Sequence, residues 1–224
     1  MKSTVRDFAA RLPLVISGFV AAAFGLALMI QSRLGMGPWG ALEVGVSKLT
    51  GLSVGVVTQA ISLALVLLSW ALAVPPTLVT ILNAFSIGFF MDLALRVLPK
   101  PEAWLARGAF FVGGLGIYSF GIAFYLVAAA GDSGPRESLM LAVSRSFRAS
   151  VRVSRIAVDL FALALAFLAK GPIGIGTVAF AFVAGPLIQF FLRLRGYATI
   201  QGKFSRIAGD AEGSRGDGSA TPAP

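Results

Sequence analysis

Long apolar runs separated by short polar breaks make up most of the chain. A bilayer-spanning helix needs about 20 apolar residues, because lipid offers the backbone no hydrogen-bond partners. Six runs come close to this length: 13–32, 54–73, 77–95, 109–130, 153–169 and 173–192. The pattern predicts an all-α polytopic membrane protein with about six transmembrane helices.

Two stretches between these runs are predicted to form short helices. Each starts with a Gly-Pro pair, Gly37-Pro38 or Gly134-Pro135, and continues with apolar residues at helical spacing. Proline fits the first turn of a helix, where its missing N–H costs nothing. The short helices could be re-entrant or lie at the interface, which leaves six spans, or both could cross the membrane, which gives eight.

The same order of segments occurs twice, at an offset of 97 residues that places Pro38 on Pro135. Repeats of this kind are typical of transporter folds, and three spans per copy would invert one copy relative to the other. We therefore expect two three-span repeats, each with an extra short helix. The predicted regions are an N-terminal segment at 1–12, a first membrane repeat at 13–98, a second at 105–195 and a disordered tail at 203–224.

Composition and charge agree with a membrane location. Hydrophobic residues make up 57% of the chain and charged residues only 13%, whereas about 25% is usual in soluble domains. The net charge is +9. The basic residues lie between the apolar runs and in the tail, so a role in membrane topology and in contacts with lipid headgroups explains them better than nucleic-acid binding does. We expect a multi-pass protein with both termini in the cytoplasm, in contact with the lipid bilayer and without a nucleic-acid partner. The basic start before the first run also fits a signal peptide, although the run is longer than usual.

The chain contains no cysteine and no histidine. This excludes thiolate nucleophiles, disulfides, Cys/His zinc sites and histidine bases, whereas carboxylate-only metal sites stay open. No phosphate-binding loop, serine-hydrolase or metalloprotease motif occurs. We predict no catalytic residues, no bound metal and no cofactor, and we expect the protein not to be an enzyme.

Polar side chains at membrane depth are costly, so they are the first candidates for a substrate site. The candidates are Arg136, Glu137, Arg155, Asp159, Arg152, Glu43, Gln59 and Asn83. Arg136 and Glu137 begin the second short helix, whose N-terminal N–H groups suit an anion. Arg155 and Asp159 are spaced i, i+4 and can pair. The structural alternatives are an Arg–Glu pair among the headgroups and a buried pair that fixes helix register.

Several motifs give the chain a family resemblance over roughly residues 10–195. They are GMGPW at 35–39, GLSVG at 51–55, GPRESLM at 134–140, GIGTV at 174–178 and Gly185-Pro186. This set resembles the YczE/YitT-like family of bacterial membrane proteins. Glu137 and Ser138 stand where the family has Asp-Gly, Asp159 where it tends to have Glu, and Lys170 where it has Gly. The resemblance implies the bacterial cytoplasmic membrane, and it implies no reaction.

Three functions compete. The first is a small secondary transporter or exporter of an anionic or amphiphilic small molecule, favoured by the repeat with broken helices near polar residues. The second is a non-catalytic accessory or scaffold for a biosynthetic enzyme or a transporter, with a protein partner or a homodimer as its assembly. The third is a lipid-modifying membrane enzyme, which without His or Cys would depend on Arg and carboxylates.

Overall fold

A computed structural model describes residues 2–129, 132 and 134–194, and this part of the chain folds into eight α-helices. They are α1 (Lys2–Ser32), α2 (Pro38–Thr50), α3 (Val54–Ala71), α4 (Leu78–Val97), α5 (Trp104–Ala128), α6 (Pro135–Ser146), α7 (Val151–Leu168) and α8 (Ile175–Leu194). The six predicted spans correspond to the long helices, and the two Gly-Pro stretches form α2 and α6. The predicted tail at 203–224 lies outside the described residues.

Five of the long helices are long and apolar enough to cross a membrane, namely α1, α3, α4, α5 and α8. This confirms the prediction of a polytopic all-α membrane protein. The remaining long helix, α7, has the same length of 18 residues as α3. It differs because Arg152, Arg155 and Asp159 interrupt its apolar sequence.

The centre of the fold is an antiparallel pair of helices, α1 and α5, that approach closely through glycines. A Cβ atom added at Gly18 would lie 3.0 Å from the carbonyl oxygen of Gly121, and one added at Gly25 would lie 2.6 Å from that of Gly114. Because the partner number falls as the α1 number rises, the helices run in opposite directions. Small residues at such contacts let membrane helices pack at short range.

Helix α2 packs beside α7 and the turn that follows it. The indole of Trp39, in the first turn of α2, donates a hydrogen bond to Asp159 in the middle of α7. Gly45, further along α2, packs against Ala169 just after α7 ends. The carbonyl of Ala41 also meets Gly171, so most of α2 lies level with the end of α7, and the Trp39 side chain reaches the middle of α7.

The segment that contains α2 leaves and returns on the same side. Gln31, near the end of α1, donates to the carbonyl of Leu98 just after α4, and the N–H of Gly55, at the start of α3, donates to Asp92 near the end of α4. The end of α1 and the start of α3 thus lie at the same end of α4, so the segment that contains α2 begins and ends on one side of the bundle. Helix α6 has the matching position after α5, and since α1 and α5 are antiparallel, it returns to the opposite end.

Local structure in the two halves corresponds at the offset of 97. Helices α3 and α7 start and end at positions 97 apart, as do α4 and α8. Ser47 donates to the carbonyl of Leu52, and Ser144 does the same to Ala149. Left-handed residues follow α3 and α7 at Ala73 and Lys170. A duplicated unit would produce this correspondence, and the duplication itself stays a prediction.

The two halves differ in how their last two helices pack against each other. Helices α3 and α4 pack together, with Gly55 against Gly88. Helices α7 and α8 have almost no contact with each other, and an added Cβ at Gly185 would meet nothing within 4 Å. Arg152, the counterpart of Gly55, has a side chain too large for the same close approach.

Candidate functional site

A cavity of about 90 Å³ with both polar and apolar walls lies between the starts of the two short helices. The first residues of both α2 and α6 line it, together with parts of α1, α5, α7 and α8. Its polar and aromatic walls come from Trp39, Tyr118, Arg136, Glu137, Arg155, Asp159 and Phe180. At the start of a helix, the first backbone N–H groups have no partner within the helix and form a positive end. The cavity therefore combines two such ends with charged side chains.

An ion pair joins the two short helices beside this cavity. Arg136 Nη2 lies 2.5 Å from Glu43 Oε1, and the Glu43 side chain is only 1% exposed. A buried carboxylate without a partner would cost several kcal/mol, roughly 3–5 when one member of a buried pair is removed. The hydrogen bond between opposite charges is of the strong kind. Glu43 and Arg136 therefore join the second turn of α2 to the first turn of α6.

Trp39 connects this pair to α7. The Arg136 guanidinium lies over the Trp39 ring at 5.8 Å from its centroid, within the range of a cation–π contact. The Trp39 indole Nε1 donates to Asp159 Oδ1 at 3.1 Å. Two carboxylates, one guanidinium and one aromatic ring thus form a continuous chain of contacts that joins α2, α6 and α7.

Arg155 and Asp159 pair loosely at the open side of the cavity. Their closest atoms, Arg155 Nε and Asp159 Oδ2, are 3.9 Å apart, and the side chains are 64% and 40% exposed. Exposed pairs of this kind contribute little to stability. Because Arg155 is held weakly, its guanidinium is available to an anion in the cavity.

A second, smaller cavity of about 30 Å³ lies on the other side of Arg136. Its walls include Thr58, Ser62, Asn83, Tyr125, Arg136 and Glu137. The offset of 97 relates it to the first cavity, since Thr58, Ser62 and Asn83 are the counterparts of Arg155, Asp159 and Phe180. Arg136 and Glu137 line both cavities.

Six of the eight predicted site residues come together here: Arg136, Glu137, Arg155, Asp159, Glu43 and Asn83. The other two do not. Gln59 donates to the carbonyl of Phe85 at 2.9 Å and links α3 to α4. Arg152 is exposed at the start of α7 and lines neither cavity.

The sequence did not single out Trp39, Tyr118 or Ser62 as candidates, although all three line a cavity. Aromatic and hydroxyl residues are common in membrane helices, so composition does not distinguish them. The repeat offers a signal for two of them, because Trp39 and Ser62 are the counterparts of Arg136 and Asp159. Within the described residues, no three acidic side chains lie close enough to hold a metal ion.

Comparison with known proteins places the chain in a family. Residues 9–193 match a family of unknown function, DUF6198. An uncharacterized protein from Haemophilus influenzae Rd is 35% identical over 170 residues, which cover 76% of this chain and 78% of the relative.

Two relatives come from Bacillus subtilis strain 168. An uncharacterized membrane protein, YczE, is 30% identical over 178 residues, covering 79% of this chain and 82% of YczE. An uncharacterized protein, YyaS, is 34% identical over 179 residues, covering 78% and 89%. No solved structure matches significantly. The resemblance to YczE-like proteins is confirmed, and the chain belongs to the DUF6198 family of membrane proteins.

Proposed function

We propose that this protein is a small secondary transporter of the bacterial cytoplasmic membrane that carries a small anion. The observation that carries the proposal is the meeting of the starts of the two short helices at one cavity, beside Arg136 and Arg155. Broken helices whose N-terminal ends face a substrate at the middle of the membrane are a recurrent device of transporters built from inverted repeats. The backbone N–H groups at the two helix starts and the loosely paired guanidinium of Arg155 are the donors that favour an anionic ligand.

The size of the cavity limits the substrate class. A volume of about 90 Å³ has room for a few water molecules or a compact anion, since one water needs roughly 10–15 Å³ on this measure. A long amphiphile would require the bundle to open. Helices α7 and α8 have almost no contact with each other, whereas α7 packs against α2 and α6. An opening between α7 and α8 would therefore break few interactions within the described residues.

The location and orientation belong to the same proposal. Both termini are placed in the cytoplasm because the basic residues are biased towards that side. A reporter fused after Pro224 that is active only in the periplasm would contradict this orientation.

Transport into proteoliposomes tests the function. Purified protein is reconstituted, and uptake of labelled small mono- and dicarboxylates and inorganic anions is followed under imposed ion gradients. We expect uptake by the parent, a loss of at least tenfold in Arg136→Ala, and nearly unchanged uptake in the matched control Arg152→Ala, whose side chain is outside both cavities. Arg136→Ala leaves the buried Glu43 carboxylate without its ion-pair partner. The double variant Glu43→Gln/Arg136→Gln is therefore measured as well, because its two neutral amides can still form a hydrogen bond with each other.

Two results would contradict the proposal. One is a parent protein that moves none of these anions under any gradient. The other is full uptake in both Arg136 variants. A stoichiometric protein partner that co-purifies with such an inactive parent would favour the accessory or scaffold function instead.

A further inference from the structure

The second cavity contains buried polar groups that the fold leaves without partners. Asn83 is 7% exposed and Ser62 is 6% exposed, and both side chains line the cavity. No hydrogen bond joins either side chain to another described residue, and their polar atoms are not among the fully enclosed ones, so they reach the space of the cavity. A buried amide or hydroxyl that lacks a partner costs about 1–3 kcal/mol. Two such groups facing one cavity indicate that something polar occupies it.

The charge around this cavity is negative. Glu137 lines it and belongs to no salt bridge among the described residues. Arg136 also lines it, but its charge is balanced by Glu43. Two carboxylates against one guanidinium, and against roughly half a positive charge at the start of α6, leave the region negative. An ionic occupant of this cavity is therefore a cation rather than a second anion.

The volume and the ligand types narrow the class of cation. About 30 Å³ holds roughly two or three water-sized particles. The available donors are oxygen atoms of a carboxylate, an amide and hydroxyls, which suit hard cations. With Glu137 as the only unpaired carboxylate, the site has less negative charge than Ca²⁺ or Mg²⁺ sites normally provide. A small monovalent cation fits both limits.

We propose that the second cavity binds Na⁺, with Glu137 as the charged ligand and with Asn83 and Ser62 as neutral oxygen ligands. The binding site stands on its own observations, whereas its role in coupling rests on the proposed function. Arg136 and Glu137 are neighbours at the start of α6 and line both cavities. A Na⁺ in one cavity and a monovalent anion in the other leave the total charge of the site unchanged. Each ion therefore lowers the electrostatic cost of binding the other, which is the requirement for co-transport.

Thermal unfolding in detergent tests the binding without any transport measurement. The protein is heated in NaCl or in choline chloride at the same ionic strength, with uptake measured separately in proteoliposomes. A ligand that binds only the folded state raises Tm with its concentration. We expect NaCl to raise the Tm of the parent above its value in choline chloride. We expect Glu137→Gln to abolish this difference and Ser62→Ala to shift it to about tenfold higher Na⁺ concentration.

Gln59→Ala is the matched control, because Gln59 lies one turn before Ser62 on α3 and binds the Phe85 carbonyl outside the cavity. It should keep the Na⁺ response of the parent. In proteoliposomes, the ratio of uptake with an inward Na⁺ gradient to uptake with choline should exceed ten in the parent and in Gln59→Ala, and should fall to about one in Glu137→Gln.

The outcomes separate the two proposals. A parent that shows the Na⁺-dependent Tm but moves no anion keeps the cation site and overturns the transport function. A parent that moves anions but shows no Na⁺ effect on Tm or on uptake overturns the cation site alone. Equal Tm in NaCl and choline chloride, or an undiminished Na⁺ response in Glu137→Gln, also overturns it.

Discussion

The exposed fractions of Glu43 and Arg136 differ greatly, although the two residues share one ion pair. Glu43 is 1% exposed, whereas 25% of the Arg136 side chain reaches the cavities. Removal of Arg136 would therefore leave a buried carboxylate without compensation, but removal of Glu43 would leave a guanidinium that can still contact water. The free-energy cost of breaking the ion pair therefore depends on which partner is removed, and the distance between the two charges does not show this.

Arg136→Ala should accordingly destabilise the protein more than Glu43→Gln does. We expect a loss of about 3–5 kcal/mol for Arg136→Ala, the usual cost of breaking a buried pair from one side, and a smaller loss for Glu43→Gln. Thermal or denaturant unfolding in detergent, followed by tryptophan fluorescence, measures both. Arg152→Ala serves as the control for the removal of an exposed arginine from the same bundle. Equal losses in the two pair variants would show that Glu43 is not buried as described.

Backbone strain at the end of α7 offers a second test at the level of single residues. Lys170 has a φ of 53°, and a left-handed conformation costs a residue with a side chain roughly 1–2 kcal/mol. Lys170→Gly should therefore raise the Tm, in agreement with the glycine that the family resemblance places there. The neighbouring Gly171→Ala should lower it, because a Cβ at Gly171 would collide with the carbonyl of Ala41. A lower Tm for Lys170→Gly would show that the lysine side chain contributes more than the strain removes.

The elements of this fold could largely be predicted from the sequence, but the contacts between them could not. Apolar runs locate the six long helices, and the prolines at positions 38 and 135 locate the starts of the short ones. The pairings of Arg136 with Glu43 and of Trp39 with Asp159 cross 93 and 120 residues of chain. The hydrophobic periodicity of a helix identifies its buried face, but it does not identify which other helix packs against that face. The sequence pattern therefore could not specify these partners. Gln59 illustrates the limit, since its position in the span did not reveal that its amide binds the Phe85 carbonyl.

The difference between the two helix pairs α3/α4 and α7/α8 leads to a prediction for matched glycines. Gly88 packs against the carbonyl of Gly55, whereas a Cβ at its counterpart Gly185 meets nothing within 4 Å. Gly88→Leu should separate α3 from α4 and reduce the yield and Tm of the folded protein severely, because overpacking commonly costs 1–3 kcal/mol or more. Gly185→Leu should be tolerated. If Gly185→Leu were equally harmful, α7 and α8 would pack together in the membrane.

At the scale of the whole molecule, the inverted arrangement depends on the two short helices returning to opposite sides. Helix α2 ends beside the start of α3, and α6 ends beside the start of α7. The absence of cysteine from the chain makes single introduced cysteines clean reporters of sidedness. Leu49 and Phe147, near the ends of α2 and α6, are both well exposed, so either can be replaced without loss of core packing.

Leu49→Cys and Phe147→Cys should react with a membrane-impermeant maleimide from opposite faces of the membrane. Lys100→Cys, in the connection between α4 and α5, is the reference and should be labelled from the same face as Leu49→Cys. The reason is that α3 and α4 form a hairpin whose two passes restore the side at which α2 ends. If α2 and α6 crossed the membrane instead, all three cysteines would react from one face. Labelling of right-side-out and inverted vesicles therefore distinguishes six spans from eight. The proposed anion site requires six spans, because only then do the starts of the two short helices meet from opposite sides of the membrane.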